Sequence, residues 1–180
     1  MNMIPEIVTE RLNLRGFVRK DAKDVFNYTS DTEVLLHTTG KTPNSIDDSL
    51  KFVDSLLANP PGAYAWAIRL KTAPQVIGAV EFGLGDGKTG SIHYALAKKL
   101  WNRGLMTEAC KAVLDWAFLS HPDLERVTTS ALTVNKGSNR VMEKCGMEFQ
   151  KTIKEKWDKF DQPVTIDVYS INRKQWERSR

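Results

Sequence analysis

Leu96-Ala97-Lys98-Lys99-Leu100-Trp101-Asn102-Arg103-Gly104-Leu105-Met106-Thr107-Glu108-Ala109 joins a short apolar run to the longest helical pattern in the chain. Residues 91–96 read as a strand. From 104 to 119, Met106, Ala109, Val113, Trp116 and Ala117 recur at helical spacing on one face. Gly104, between the two, permits a tight turn and close approach of a ligand. The backbone N–H groups of Asn102, Arg103, Gly104, Leu105, Met106 and Thr107 come before the helix can pair them internally. They converge where the helix dipole favours an anion. Arg103, Lys98 and Lys99 add positive charge beside them. The pattern predicts a phosphate or pyrophosphate cradle. Its competitor is an ordinary strand-to-helix turn with solvated basic residues.

Working outward, residues 65–70 and 76–82 read as two further strands before this one, and 126–134 as a strand after the helix. Residues 138–145 form a short helix that Gly146 closes. Residues 149–157 and 164–171 read as an antiparallel hairpin. Towards the N-terminus lie a strand at 12–15 and helices at 21–29 and 47–57, separated by a loop at 38–45. That makes about seven strands and about four helices. Their mixed order indicates an α+β fold with a mostly antiparallel sheet rather than a doubly wound parallel one.

Length and composition agree with one domain over residues 1–180. A chain of 180 residues buries about 70% of its unfolded surface, enough for a core without metals or disulfides. Hydrophobic residues are 41% and charged residues 27% of the chain, which excludes disordered and collagen-like classes. The net charge of +4 suits anionic small molecules or nucleic acid and decides between neither. Cys110 and Cys145 form no CxxC, and His37, His93 and His121 lack metal-ligand spacing, so no metal is expected. The opening MNMIPEIVTERLNL has no signal-like apolar core, and no stretch reaches the ~20 apolar residues of a membrane span. The expectation is a cytoplasmic protein.

One motif misleads. Gly85-Asp86-Gly87-Lys88-Thr89-Gly90 matches GxGxxG, but the next residues, 91–96, read as a strand, whereas a dinucleotide fingerprint opens a helix. A glycine-rich hairpin loop is the expected structure.

The stretch Trp101 to Ala109 resembles the acyl-CoA pyrophosphate loop of the GNAT N-acetyltransferase superfamily, in particular its RimJ/RimL-like branch. Two more segments are similar to that branch: Thr9-Glu10-Arg11-Leu12-Asn13-Leu14-Arg15, and Asn135-Lys136-Gly137-Ser138-Asn139-Arg140-Val141-Met142-Glu143-Lys144-Cys145-Gly146-Met147. Trp101 and Met106 depart from the usual loop residues, and Met147 replaces a Phe. Met142 stands where many members of the superfamily place a general-acid Tyr.

The resemblance implies acetyl transfer from acetyl-CoA, as co-substrate, to a primary amine. It implies a splayed parallel strand pair, here 91–96 and 126–134, with the CoA arm between them. Leu96 and Ala97 would pair with the pantetheine amides through their backbone, and Asn135 through its side chain. Ser138 matches a serine proposed as general acid in RimL-like enzymes, against the alternative of helix N-capping. For the general base, Glu81 and His93 are candidates. Each has a plain reading as well: Glu81 on a solvated sheet edge, His93 as a structural histidine. An α-amine, pKa ~7.7–8.0, needs about 3.4 kcal/mol less deprotonation than a lysine at ~10.4. A site without an obvious strong base therefore suits a peptide or protein N-terminus. A small amine, an amino acid, an antibiotic, or a non-catalytic CoA- or RNA-binding module are the alternatives. The RNA reading is motivated by Arg173, Lys174, Arg178 and Arg180, which otherwise read as a solvated end. Neither membrane nor direct nucleic-acid binding is expected, and a homodimer is compatible.

Overall fold

The apolar runs that the sequence marks as strands all join one sheet. The computed structural model describes residues 4–180; the first three residues of the opening segment lie outside the described residues. The elements are β1 (Ile7–Val8), β2 (Leu12–Gly16), α1 (Ala22–Thr29), α2 (Thr32–Leu35), α3 (Ile46–Leu57), β3 (Ala63–Leu70), β4 (Val76–Leu84), β5 (Thr89–Leu96), α4 (Leu105–Ser120), β6 (Arg126–Leu132), α5 (Lys136–Lys144), β7 (Glu148–Glu155), β8 (Val164–Asn172) and α6 (Arg173–Arg178). The sheet order is β1-β2-β3-β4-β5-β6-β8-β7. Every neighbouring pair is antiparallel except β5 and β6. The α+β architecture expected from the sequence is therefore present.

Three elements exceed the expected count, and each is too short for periodicity to reveal. β1 has two residues. α2 is a single turn started by Asp31, whose side chain accepts from Glu33 N. α6 begins with a capping box between Asn172 and Gln175. This last helix leaves Lys174, Arg178 and Arg180 solvated, as the sequence suggests, and corrects that reading for Arg173 alone. Trp176 is buried, stacks on Phe118 and donates to Asp115 Oδ1. Arg173 turns inward and donates to the carbonyl oxygens of Phe118, His121 and Leu124 at 2.8–3.1 Å, satisfying carbonyls in the last turn of α4 and just beyond it.

The glycine-rich stretch closes the β4–β5 hairpin. Gly85 N–H donates to Thr89 O, Gly87 takes φ +87°, and Asp86 Oδ1 accepts from the N–H groups of Lys88 and Thr89. No helix comes directly after it, so no dinucleotide site forms there.

The register separates large from small side chains. Trp66, Val80 and Tyr94 lie opposite one another, as do Tyr64, Phe82 and Ile92, and these rows face α4, where Trp116 meets Trp66 and Phe82 edge-on. The alternate positions, Ala63, Ala65, Ala67, Ala79, Gly83, Ser91 and Ala95, form the other face, towards α1. Large residues fill the core against α4, where Ala109, Val113 and Ala117 are fully buried. On the opposite face Ala65, Ala67 and Ala79 are buried on the α1 side, and Glu81 and His93 interrupt the row of small residues. No described helix is long and apolar enough to cross a membrane.

Candidate active site

Strand β5 and helix α4 meet at the loop singled out in the sequence. Asn102 takes φ 60° and Gly104 φ 74°, both left-handed, so the chain reverses within a few residues. Gly104 is the N-cap and no side chain caps the helix. The first helical bond at this end runs from Glu108 N to Gly104 O, so the N–H groups of Leu105, Met106 and Thr107 have no helical acceptor. Residues 101–104 are exposed, while the side chains of Leu105 and Met106 are buried. These two thus offer only backbone. The arrangement is a ready anion cradle at the start of a 16-residue helix. Of the neighbouring cations, Arg103 and Lys99 are exposed, whereas Lys98 is paired with Glu33.

The segment Thr9 to Arg11 holds this loop from across the sheet. Glu108, in the first turn of α4, accepts from Thr9 Oγ1, Arg11 N and Arg11 Nε. Partial burial opposes its charge, but these three donors hold its carboxyl below the usual range. Arg11 also donates to Arg103 O at 2.9 Å. A carboxylate beside an anion site would repel the ligand, and the Arg11 guanidinium offsets that charge. The sequence showed Thr9 to Arg11 only as a motif; their contact with Glu108 spans about a hundred residues and has no local signature.

Next to the loop, β5 and β6 part. They pair in parallel only from Thr89–Arg126 to Ser91–Thr128. Beyond that, Thr129 Oγ1 reaches Ile92 O, and the ladder ends. The phase of the β4–β5 ladder is set by Ala97 N donating to Ile77 O and Gly85 N to Thr89 O. Alternation therefore turns the backbone groups of Tyr94 and Leu96 towards the gap. This corrects one expectation. Ala97 has both its N–H and its C=O engaged, with Ile77 O and Leu100 N, and Leu96 O accepts from Trp101 Nε1. The groups directed into the gap are Tyr94 N–H and C=O and Leu96 N–H.

Helix α5 borders the far side of the gap. Asn135 is its N-cap, and Asn135 Oδ1 accepts from Ser138 N at 3.1 Å. The capping alternative for Ser138 is thereby overturned: Asn135 fills that place. It also means that the Asn135 carbonyl oxygen is engaged, leaving its amide N–H groups for a ligand. The Ser138 hydroxyl instead lies 2.9 Å from the hydroxyl of Tyr94, a residue that sequence reasoning missed. Asn139 ties α5 to the sheet through Asp167, which also accepts from Thr133 and Thr152. Met142, where a tyrosine acid would stand, is buried.

Glu81 and His93 are brought together on the small-residue face. They are direct cross-strand partners on β4 and β5, with Ala65 of β3 opposite Glu81 on its other side. Burial raises the Glu81 pKa and lowers that of His93. Solvent still reaches the His93 side chain, but protein crowds it enough to disfavour its cation. Tyr28 of α1 has its pKa raised, by burial first and then by the Glu81 charge, which places it near that carboxylate. Successive residues of a strand point to opposite faces, so His93 faces the side of Tyr28 and Tyr94 faces the side of Ser138. The gap lies between them.

A cavity of about 320 Å³, lined by Phe17, Leu56, Leu57, Ala63 and Ala65 among others, reaches Ala65, the cross-strand neighbour of Glu81. The β7–β8 hairpin is fastened to the end of α2 and the loop after it by Lys159, which donates to Leu35 O and Gly40 O. Among the described residues no group of three or more His, Cys, Asp or Glu is placed to hold a metal ion.

Comparison with known proteins agrees with this geometry. The family described as acetyltransferase (GNAT) domain matches residues 11–148. The uncharacterized N-acetyltransferase YnaD of Bacillus subtilis is 29% identical over 181 aligned positions, covering 94% of this chain and 98% of that protein. A crystal structure of a GNAT-family acetyltransferase from Bacillus anthracis superposes with a TM-score of 0.84 at 26% identity, covering 94% of this chain and 99% of that one. RimL, the ribosomal L7/L12 alpha-N-protein acetyltransferase, shares the fold at a TM-score of 0.80 and 17% identity, covering 95% and 96% of the two chains.

Proposed function

The chain belongs to the GNAT acetyltransferase family and transfers acetyl groups from acetyl-CoA; we propose that its acceptor is an α-amino group at a peptide or protein N-terminus, as in the RimJ/RimL-like branch. The observation that carries this reading is the Glu81–His93 cross-strand pair, with His93 open to solvent, beside the gap.

In this reading residues 1–180 act as one domain. The N–H groups of the 102–107 loop hold the CoA pyrophosphate, and the backbone of Leu96 and Tyr94 meets the pantetheine amides. Asn135 adds a side-chain contact. The thioester then lies in the gap, with the Glu81–His93 side open to the acceptor and the Ser138 side facing sulfur. An ammonium has no lone pair, so a proton must leave before attack. His93, held neutral to below its ordinary 6.5, accepts that proton directly or through water, and Glu81 attracts the cationic amine. Neither group is a strong base. An α-amine, deprotonated about 3.4 kcal/mol more cheaply than lysine, matches such a site. The cavity beside Ala65 has room for the first side chain of the acceptor.

The test is turnover near neutral pH with short peptides bearing free N-termini, N-blocked lysine peptides, polyamines and aminoglycosides. The free-N-terminus peptides should be preferred. A clear preference for a polyamine or a blocked lysine peptide refutes the α-amine reading.

A further inference from the structure

We propose that Tyr94 is a positioning residue that aims the Ser138 hydroxyl at the departing sulfur, a role that rests on Ser138 facing that sulfur in the proposed function. The Tyr94 hydroxyl lies 2.9 Å from Ser138 Oγ and 3.2 Å from Ser138 O. Among the described residues it is the hydrogen-bond partner of the Ser138 hydroxyl, while the Ser138 N–H goes to Asn135. Tyr94 stands on β5 at the point where the strand has left β6, and Ser138 stands on the first turn of α5 across the gap. The contact therefore spans the cleft at the depth of the strand edge.

A phenol has one proton and a serine hydroxyl has one. If Tyr94 donates to Ser138 Oγ, the Ser138 proton is free to point into the gap. If Tyr94 donates to Ser138 O, the Ser138 proton is drawn towards Tyr94 instead. The 2.9 Å contact fits either donor, and the first arrangement is the one this role requires. Burial raises the Tyr94 pKa well above 10, so the phenol stays a neutral donor throughout the neutral range.

The chemistry needs no more than that donor. The amine nitrogen bonds to the acetyl carbon, the C–S bond breaks, and its electron pair goes to sulfur. The proton lost by the amine goes to the base on the His93 side. A thiol of pKa ≈ 8.5 is a weak enough base to leave as the thiolate, which takes its proton from solvent afterwards. A hydrogen bond from Ser138 is enough to stabilise it, and no proton has to leave Tyr94. The consecutive residues His93 and Tyr94 thus serve entry and departure on opposite faces of one strand.

A double-mutant cycle of Tyr94→Phe and Ser138→Ala tests this, with kcat, acetyl-CoA affinity by calorimetry and Tm for all four proteins. Each single variant should lower kcat about 3- to 10-fold, the size of one neutral hydrogen bond, with acetyl-CoA affinity held within about twofold. The double variant should be no slower than Ser138→Ala. An unchanged kcat in folded Tyr94→Phe, or an equal loss on adding it to Ser138→Ala, overturns the proposal. Full activity in Ser138→Ala overturns the Ser138 reading itself, and this role with it. An impaired Ser138→Ala beside an unimpaired Tyr94→Phe overturns only the role of Tyr94.

Discussion

Replacing Gly104 with Ala isolates the contribution of the cradle's backbone conformation. Gly104 has φ 74°, where an L-residue costs roughly 1–2 kcal/mol. A Cβ built there has only Arg11 Nη2 nearby, at 3.6 Å, so no steric clash adds to that cost. The strain can appear in two places. If the loop keeps its shape, folding stability falls by ~1–2 kcal/mol and affinity is unaffected, because free and bound states share the strain. If the free loop relaxes, stability is spared and acetyl-CoA must restore the left-handed turn. The exposed residues 101–104 are held by Trp101 N on Lys98 O, Trp101 Nε1 on Leu96 O, Arg11 on Arg103 O and Glu108 N on Gly104 O, and between these ends Asn102 and Arg103 have room to relax. The expected result is an acetyl-CoA Kd about 5- to 30-fold higher, the same ~1–2 kcal/mol expressed as binding. Gly87→Ala is the internal control. It has φ +87° and nothing within 4 Å of an added Cβ, but it lies in the β4–β5 hairpin. It should lower Tm without changing affinity. Calorimetry and Tm of both variants decide the matter: an unchanged Kd with a lowered Tm places the strain in the free and bound loop alike, and an unchanged Kd together with an unchanged Tm in Gly104→Ala refutes the reasoning.

Arg11→Ala should raise the acetyl-CoA Kd by up to about 5-fold, as an exposed pair is worth at most ~1 kcal/mol, whereas Arg19→Ala, which breaks the remote pair with Asp54, should leave it unchanged in the same titration. The Glu81–His93 pair should give opposing pH effects on stability. His93 has a lowered folded pKa, so the unfolded chain takes up the proton first, and stability is lost as pH falls through about 6.5; urea melts of His93→Gln should show a smaller loss between pH 7 and 5. Glu81 has a raised folded pKa, so stability is lost as pH rises from 4.5 through that value, and Glu81→Gln should be the more stable protein at pH 7. Arg173→Ala should cost about 2 kcal/mol by uncovering the carbonyl groups at the end of α4, visible as a lower Tm with acetyl-CoA affinity intact.

What the sequence determined by itself was local. The loop from Trp101 to Thr107 was legible because a glycine between a strand pattern and a helix pattern leaves consecutive N–H groups without partners. The hairpin at Gly85 to Gly90 was legible because a strand, not a helix, comes after it. Seven of the strands and the four longer helices show in side-chain periodicity, which depends only on near neighbours. Short elements such as α2 and α6 fall below the length at which a period can be counted, and their caps are visible only once they are built. Tertiary structure decided everything that depends on register and on contacts between distant segments. Nothing near Tyr94 in sequence points to Ser138, 44 residues away. Nothing near Arg11 points to Glu108, and nothing in the basic C-terminal end shows that Arg173 turns inward. Glu81 and His93 were named separately from residue type; only the antiparallel ladder makes them partners, and a slip of one residue would send one of them to the opposite face. Which backbone groups face the CoA gap depends on that same phase, so Ala97 is committed to β4 while Tyr94 and Leu96 are not.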